Sequence, residues 1–100
     1  MKTFFDGIYI DGSQIDEENE YPIKLEYYKI TELKENVKAN YGIEIVKSEF
    51  IQGKVNIENS KVENITSDND EIEKILNMLK NNKVTPIGIQ DALEEILIYD

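Results

Sequence analysis

The carboxylates near the C-terminus are the residues whose type and spacing come closest to a chemical site. Glu94 and Glu95 follow Asp91 by three and four residues, so a helix would place the three side chains as neighbours. Paired carboxylates can act as general acid and base or bind a hard cation. No recognisable motif adds a nucleophile, an oxyanion donor or a glycine-rich phosphate loop. We therefore interpret them as a solvated helix face and keep a carboxylate-based ligand or metal site as an alternative.

The composition excludes most other catalytic centres. The 100 residues contain no His, Cys or Trp, and all 11 basic residues are Lys. Without imidazole, thiol and guanidinium groups, the chain cannot build a Ser-His-Asp or Cys-His centre, a structural zinc site or a bidentate phosphate clamp. We predict that the protein is not an enzyme and that it needs no cofactor and no metal.

The net charge of −10 argues against direct binding to nucleic acid or to a membrane. Acidic residues exceed lysines by five in residues 1–20 and by five in residues 67–100, whereas residues 21–66 are neutral. An acidic surface repels phosphate backbones and anionic lipid headgroups. Solubility is the ordinary reason for such a charge. An acidic protein can also inhibit another protein by occupying its basic nucleic-acid groove, and we keep this mimicry as an alternative.

Length and composition predict a single cytoplasmic domain. One hundred residues is close to the commonest domain size, and the absence of Cys excludes a disulfide framework. Asp6 interrupts the apolar residues at the N-terminus, which favours neither a signal peptide nor a membrane span. We divide the domain into an acidic, partly mobile segment at 1–20, a β-meander at 21–66 and a helical hairpin at 67–100.

Alternating apolar and polar residues predict the meander. Ile23, Leu25 and Tyr27 begin one strand, residues 41–51 form a second, and a third follows the short turn at 52–54. Within the segment at 1–20, residues 4–10 precede the charged loop at 11–20 and have no clean period, which predicts either a short edge strand or a docked arm. The meander therefore has three strands, or four if this segment joins the sheet.

Several apolar residues of the meander fall out of phase with this alternation. Tyr28 and Ile30 take the opposite parity, which indicates a bulge or a two-sided strand. Val46 and Phe50 are also out of phase, and we attribute them to local twist rather than to ligand contacts.

Two helices are predicted in the last third of the chain. Ile72, Ile75, Leu76 and Leu79 have the spacing of one helix face, which predicts a helix over 69–81 capped by Ser67 or Asp68. The second helix is predicted to have Thr85 as its N-cap and Pro86 as its first residue. A short link between two helices favours an antiparallel pair. The predicted fold class is α+β, an antiparallel meander covered on one face by this C-terminal helix pair.

The best functional lead is a candidate partner surface made of Met78, Ile87, Asp91, Glu94 and Ile98. Helical spacing places Ile87 and Ile98 on the side of Asp91 and Glu94, away from the main apolar face of the second helix. Apolar side chains rimmed by carboxylates are typical of contact with a protein partner or a second copy of the chain. The simpler interpretation is that both isoleucines fit against helix ends, since single exposed apolar residues are common.

We expect a small acidic protein that binds another protein as a regulator or adaptor. A small-ligand module that uses Tyr27, Tyr28 and Tyr41 is a further alternative. Aromatic residues in strands more often serve packing than recognition, so the protein-binding hypothesis is preferred.

Three segments also resemble a known group of sequences. Residues 41–45, 62–68 and 82–95, the last with the run Val84-Thr85-Pro86, are similar to a family of short proteins from low-GC Gram-positive bacteria. The resemblance covers roughly residues 25–97, about the length of one small domain. This family is a domain of unknown function with no assigned activity, so the resemblance supplies no catalytic residues. It implies a cytoplasmic bacterial protein.

Overall fold

The computed structural model describes residues 1–10, 21–33 and 39–98. These residues form strands β1 (Lys2–Ile10), β2 (Ile23–Glu32), β3 (Asn40–Ile51) and β4 (Lys54–Thr66), then helix α1 (Asn69–Asn81), a 3₁₀ turn (Pro86–Gly88) and helix α2 (Ile89–Ile98). The strands form one antiparallel sheet in the order β1-β2-β3-β4. The predicted α+β class is confirmed, with two helices following an antiparallel sheet.

The N-terminal segment is a full strand of this sheet. β1 pairs with β2, and the register shifts between Phe4 and Asp6, so that Phe5 is the extra residue of a β-bulge. A bulge reverses the parity of the residues that follow it, which explains why the segment has no clean period. The sheet therefore has four strands, where the pattern from residue 21 onward predicts three. The predicted mobile segment falls mostly on residues 11–20, which lie outside the described residues.

One face of the sheet packs against the helices. Leu25 and Tyr27 point to this face and are fully buried. The core combines such residues of β1, β2 and β3 with the apolar faces of both helices: Ile10, Ile23, Leu25, Tyr27, Ile43, Ile45, Ile72, Ile75, Leu76, Leu79, Ile89 and Leu93. Burial of apolar side chains from both layers is the main stabilising contribution to such a fold.

The out-of-phase residues lie on the opposite, outer face of the sheet. The pairing of β2 with β3 is unbroken, and it places Val46 beside Glu26. Phe50 pairs with Val55 of β4 in the same regular register. Regular strands with apolar residues on both faces therefore explain these positions, and the predicted local twist is not needed.

The β3–β4 hairpin is tight at one end and irregular at the other. Gln52 and Gly53 form its two-residue turn with φ of 49° and 79°, as the predicted turn requires. At the other end, Tyr41 pairs with Thr66 but Ile43 pairs with Val62. The β4 chain therefore bulges opposite Gly42, which lies against the backbone of that bulge.

Helix α1 has the bounds and the cap that its sequence predicts. Asp68 is the N-cap residue, and its Oδ1 accepts hydrogen bonds from the backbone N–H groups of Asp70 (2.9 Å) and Glu71 (3.4 Å). At the other end, Lys80 Nζ donates to Asp6 Oδ2 at 2.8 Å. The hydrogen bonds from Lys80 and from the Gly7 N–H hold the pKa of Asp6 below its usual value. The helix is thus connected to β1 as well as packed on the sheet.

The second helix begins later than predicted. Residues Pro86–Gly88 form a 3₁₀ turn, and the α-helix starts at Ile89. The Gly88 N–H donates to the Thr85 carbonyl at 3.0 Å, the i to i+3 bond of a 3₁₀ turn. Thr85 is the N-cap residue of this turn, but its side chain forms no cap hydrogen bond.

Tyr27 connects the sheet to the link between the helices. Its Oη donates to the Val84 carbonyl at 2.8 Å, and burial raises the pKa of Tyr27 above its ordinary value. Tyr27→Phe removes this bond and leaves the Val84 carbonyl without its donor. We expect the free energy of unfolding to fall by about 1 kcal/mol at neutral pH, measured by urea denaturation.

The same substitution changes the alkaline stability. Because the folded pKa of Tyr27 lies above its unfolded value of about 10, its contribution is complete below that pH and is lost as the pH rises further. The loss in stability between pH 9 and 11 is therefore expected to be smaller in Tyr27→Phe than in the wild type. Burial also raises the pKa of Tyr28, so part of the alkaline loss remains. Parallel pH profiles for the two proteins would contradict this role of Tyr27.

Candidate interaction surface

β4 and the C-terminal segment enclose two neighbouring depressions. The first, of about 570 Å³, is lined by residues 58–60 of β4 and by the segment from Pro86 to Asp91. The second, of about 300 Å³, is lined by residues 62–65 of β4 and by α2 as far as Leu97. Gln90 borders both depressions. Together they form one groove along the strand, which we call the β4–α2 groove.

Ile87 lies at one end of the β4–α2 groove and is 84% exposed. Its neighbours Pro86 and Ile89 are both buried. A 3₁₀ turn has three residues per turn, so the residue between two inward-facing positions points away from the core. The fold therefore uses Pro86 and Ile89 for packing and leaves Ile87 in solvent.

The two walls of the groove differ in how their carboxylates are compensated. On β4, Glu58 lies 4.0 Å from Lys47 Nζ, and Glu63 lies 3.1 Å from Lys61 Nζ. On α2, Asp91 and Glu94 are exposed, and neither forms an ion pair within the described part of the chain. The negative potential of the groove is therefore concentrated on its α2 wall.

The predicted partner surface does not form one patch. Ile87, Asp91 and Glu94 line the β4–α2 groove. Met78 instead lines a separate depression of about 480 Å³ between the two helices, together with Glu95. The side chain of Ile98 lies outside the described residues. The structure thus brings three of the five predicted residues together and places Met78 on the other side of α2.

The three neighbouring carboxylates of α2, Asp91, Glu94 and Glu95, do not all face the same depression. Asp91 and Glu94 face the β4–α2 groove, whereas Glu95 lines the depression between the helices. Across residues 1–10, 21–33 and 39–98, no three acidic side chains converge as metal ligands would. The spacing that suggested a shared site therefore does not assemble one from these three groups.

The three tyrosines of the small-ligand alternative also lie apart. Tyr27 is buried under the helices, and Tyr41 lies on the same face of the sheet, with Lys29 Nζ 5.7 Å from its ring centroid. Tyr28 is on the outer face, where its ring packs edge-on against Phe4 at a centroid distance of 5.6 Å. Packing explains the position of each ring.

The β4 wall of the groove was missed by sequence reasoning. Residues 58–65 have the mostly exposed, polar character of a solvated strand, and the predicted partner surface does not include them. The signal that could have identified them is the strand order, because the last strand of a meander lies at an edge of its sheet. A helix that returns to the sheet then packs beside that edge.

Comparison with known proteins identifies the family of the chain. A family model described as a family of unknown function (DUF6514) matches residues 8–98. No curated protein and no solved structure matches the chain. Within the described residues, neither helix has the length and apolar character needed to cross a bilayer.

Proposed function

The chain belongs to a family of unknown function, whose model matches residues 8–98, and we propose that it acts through a protein-binding surface. In this proposal the protein is a non-enzymatic regulator or adaptor of the bacterial cytoplasm. Its contact surface is the side of the C-terminal segment that carries Ile87, Asp91 and Glu94. The surface named from the sequence is thereby reduced to the residues that share the β4–α2 groove.

The exposure of Ile87 is the observation that carries this proposal. A branched apolar side chain that is 84% exposed contributes little to the stability of the fold. Its full burial against a partner would contribute roughly 1.5–3 kcal/mol to binding. Leu97, at the other end of the groove, is 47% exposed and extends the apolar area.

The uncompensated carboxylates support a selective contact. Asp91 and Glu94 of α2 lie between Ile87 and Leu97 in the sequence. Charged groups at the rim of an interface select partners of opposite charge and exclude like-charged ones. The surface therefore suits a partner that presents apolar residues with basic residues around them.

Substitution of Ile87 provides the test. The tagged wild-type protein and Ile87→Asp are used to capture proteins from lysate of the host, and the retained partner is then purified and its affinity measured directly. We expect Ile87→Asp to weaken binding at least tenfold, since it loses the buried apolar area and places a charge in the interface. Circular dichroism and urea denaturation should show a fold that is unchanged.

Leu33→Asp is the matched control, because Leu33 is 75% exposed and directly follows β2. It makes the same kind of change away from the groove and should leave the affinity unchanged. Equal affinities for wild type and Ile87→Asp would exclude this surface. Binding that disappears steeply with added salt would favour the mimicry of nucleic acid over an apolar contact.

A further inference from the structure

β4 is a long strand at the edge of the sheet formed by the described residues. It lies at the end of the strand order and spans Lys54–Thr66. Within the described part of the chain, no strand pairs with its outward side. Most of its residues are exposed, and every second backbone N–H and C=O group points away from β3. Such an edge is a template on which another extended chain can form main-chain hydrogen bonds.

The β4–α2 groove opens along this edge. Consecutive residues of β4 line each depression, 58–60 in one and 62–65 in the other. In the regular part of β4, Glu58 and Ser60 point to the helix side of the sheet and Asn59 to the outer face, so the depression that touches all three must reach the edge itself. An added strand would therefore lie beside β4 with the α2 wall along one of its faces.

The bulge of β4 sets the length of the template. Asn64 has a φ of 56°, and the pairing of β4 with β3 is irregular after Val62. Regular extended backbone is available over residues 54–62. About nine residues of a partner segment can pair there before the bulge turns the edge away.

The two faces of an added strand would meet different chemistry. On the helix side it would meet the α2 wall from residue 58 onward, with the uncompensated carboxylate Asp91 beside residues 58–60 and Glu94 where the template ends at Val62. On the outer side it would meet Val55 and Ile57, which are 52% and 67% exposed. Side chains alternate along a strand, so the complementary segment has basic residues at every second position and apolar residues between them.

We propose that β4 accepts an extended, alternately basic and apolar segment of a partner protein as a fifth strand of the sheet. The inference rests on the proposed function and names the chemistry and binding mode of the partner. Main-chain hydrogen bonds to the edge supply affinity, and lysine or arginine side chains facing Asp91 and Glu94 supply selectivity. A second copy of the chain is disfavoured as the occupant, because two molecules of charge −10 would bring like charges together.

A synthetic peptide provides the probe. It has nine residues that alternate lysine and valine, with blocked termini, and its binding is measured by titration calorimetry. In parallel, hydrogen exchange of the β4 amides is followed by NMR. We expect binding to slow the exchange of alternate amides within residues 54–62. The same peptide methylated on every backbone nitrogen keeps its charges but has no backbone N–H donors, and it should bind at least tenfold more weakly.

The carboxylates supply a matched pair of variants. Glu94 faces the groove and its neighbour Glu95 lines the depression between the helices, so the two substitutions remove the same charge from opposite sides of α2. We expect Glu94→Gln to weaken peptide binding about threefold and Glu95→Gln to leave it within experimental error. Equal effects of the two substitutions would show nonspecific attraction to an acidic protein and would overturn the proposal.

Other outcomes would also overturn the proposal of a fifth strand. Failure of the lysine–valine peptide to bind, or equal binding of the methylated peptide, excludes pairing at the edge. Protection of the β4 amides that increases with protein concentration alone would assign the edge to a second copy of the chain. Suppose that a partner requires Ile87 for binding but does not slow the hydrogen exchange of the β4 amides. This result would leave the proposed function intact and exclude the fifth strand.

Discussion

Replacement of Gly42 with alanine is expected to lower the free energy of unfolding by about 2–3 kcal/mol. A Cβ atom at this position would lie 2.5 Å from the Val62 carbonyl oxygen and 2.9 Å from Glu63 Cα. Both atoms belong to the backbone of the β4 bulge, so they cannot move aside as the end of a flexible side chain can. Relief of the contact requires β3 and β4 to separate where the bulge is formed. Urea denaturation of the two proteins measures the loss.

Gly88→Ala is the control for this substitution. A Cβ at Gly88 would meet only side-chain atoms of Val84 and Thr85, at 3.9 and 4.0 Å. Alanine is favoured over glycine next to a helix because it restricts the unfolded chain more, so Gly88→Ala is expected to be neutral or to stabilise by up to about 1 kcal/mol. Similar losses in the free energy of unfolding for the two variants would show that the close approach of the β4 backbone is not the reason for a glycine at position 42.

Leu76→Ala is expected to cost about 3 kcal/mol, because it leaves a cavity between α1 and the sheet. Leu76 is fully buried within the central core cluster. The helix keeps its cap at Asp68 and its exposed face, so the loss reports the packing of α1 and not its ability to form a helix. Thermal or urea denaturation provides the measurement.

Met78→Ala is the control for Leu76→Ala, because it also shortens a large apolar side chain of α1 but does so outside the buried core. Met78 lies two residues further along α1 and borders the depression between the helices, where it is partly exposed. Its replacement is expected to cost less than about 1 kcal/mol, since solvent already occupies part of its surroundings. Comparable losses for Leu76→Ala and Met78→Ala would mean that α1 buries a different face.

The helical part of the fold could be predicted well because its signals are local. Four apolar residues at helical spacing and a capping carboxylate define α1, and its bounds agree with the prediction. The start of α2 was predicted three residues early because Pro86 fits the first turn of either an α-helix or a 3₁₀ turn. The choice between them depends on how Pro86 and Ile89 are buried against the sheet, which the sequence does not contain.

The sheet was predicted less completely for a different reason. Period-two alternation identifies a strand when one face is buried and the register is regular. The bulge at Phe5 breaks that period in β1, and apolar residues on both faces obscure it in β2 and β3. Pairing with β2 is what makes β1 a strand, and that contact lies outside the local sequence.

Prediction of the candidate site was limited by the orientation of one helix relative to the other. A helical wheel groups Ile87, Asp91 and Glu94 by their spacing, and all three line the β4–α2 groove, although Ile87 lies in the 3₁₀ turn before α2. It cannot tell whether Met78 of α1 reaches the same side, since that depends on how both helices lie on the sheet. The β4 wall was missed because the sequence does not show that α2 packs beside β4, although the predicted meander itself places its last strand at an edge of the sheet.

The order of the strands also determines how the chain can fold. Each strand pairs with the next one in sequence, through connections of twelve, seven and two residues. Closing a short loop costs little entropy, so the sheet can grow hairpin by hairpin from the two-residue turn. Contacts such as Lys80 with Asp6, 74 residues apart, can form after the strands have brought these regions together. Because neighbouring strands of the sheet are also neighbours in sequence, each pairing requires the closure of a single loop, which shortens the time during which unpaired strands are exposed to other chains.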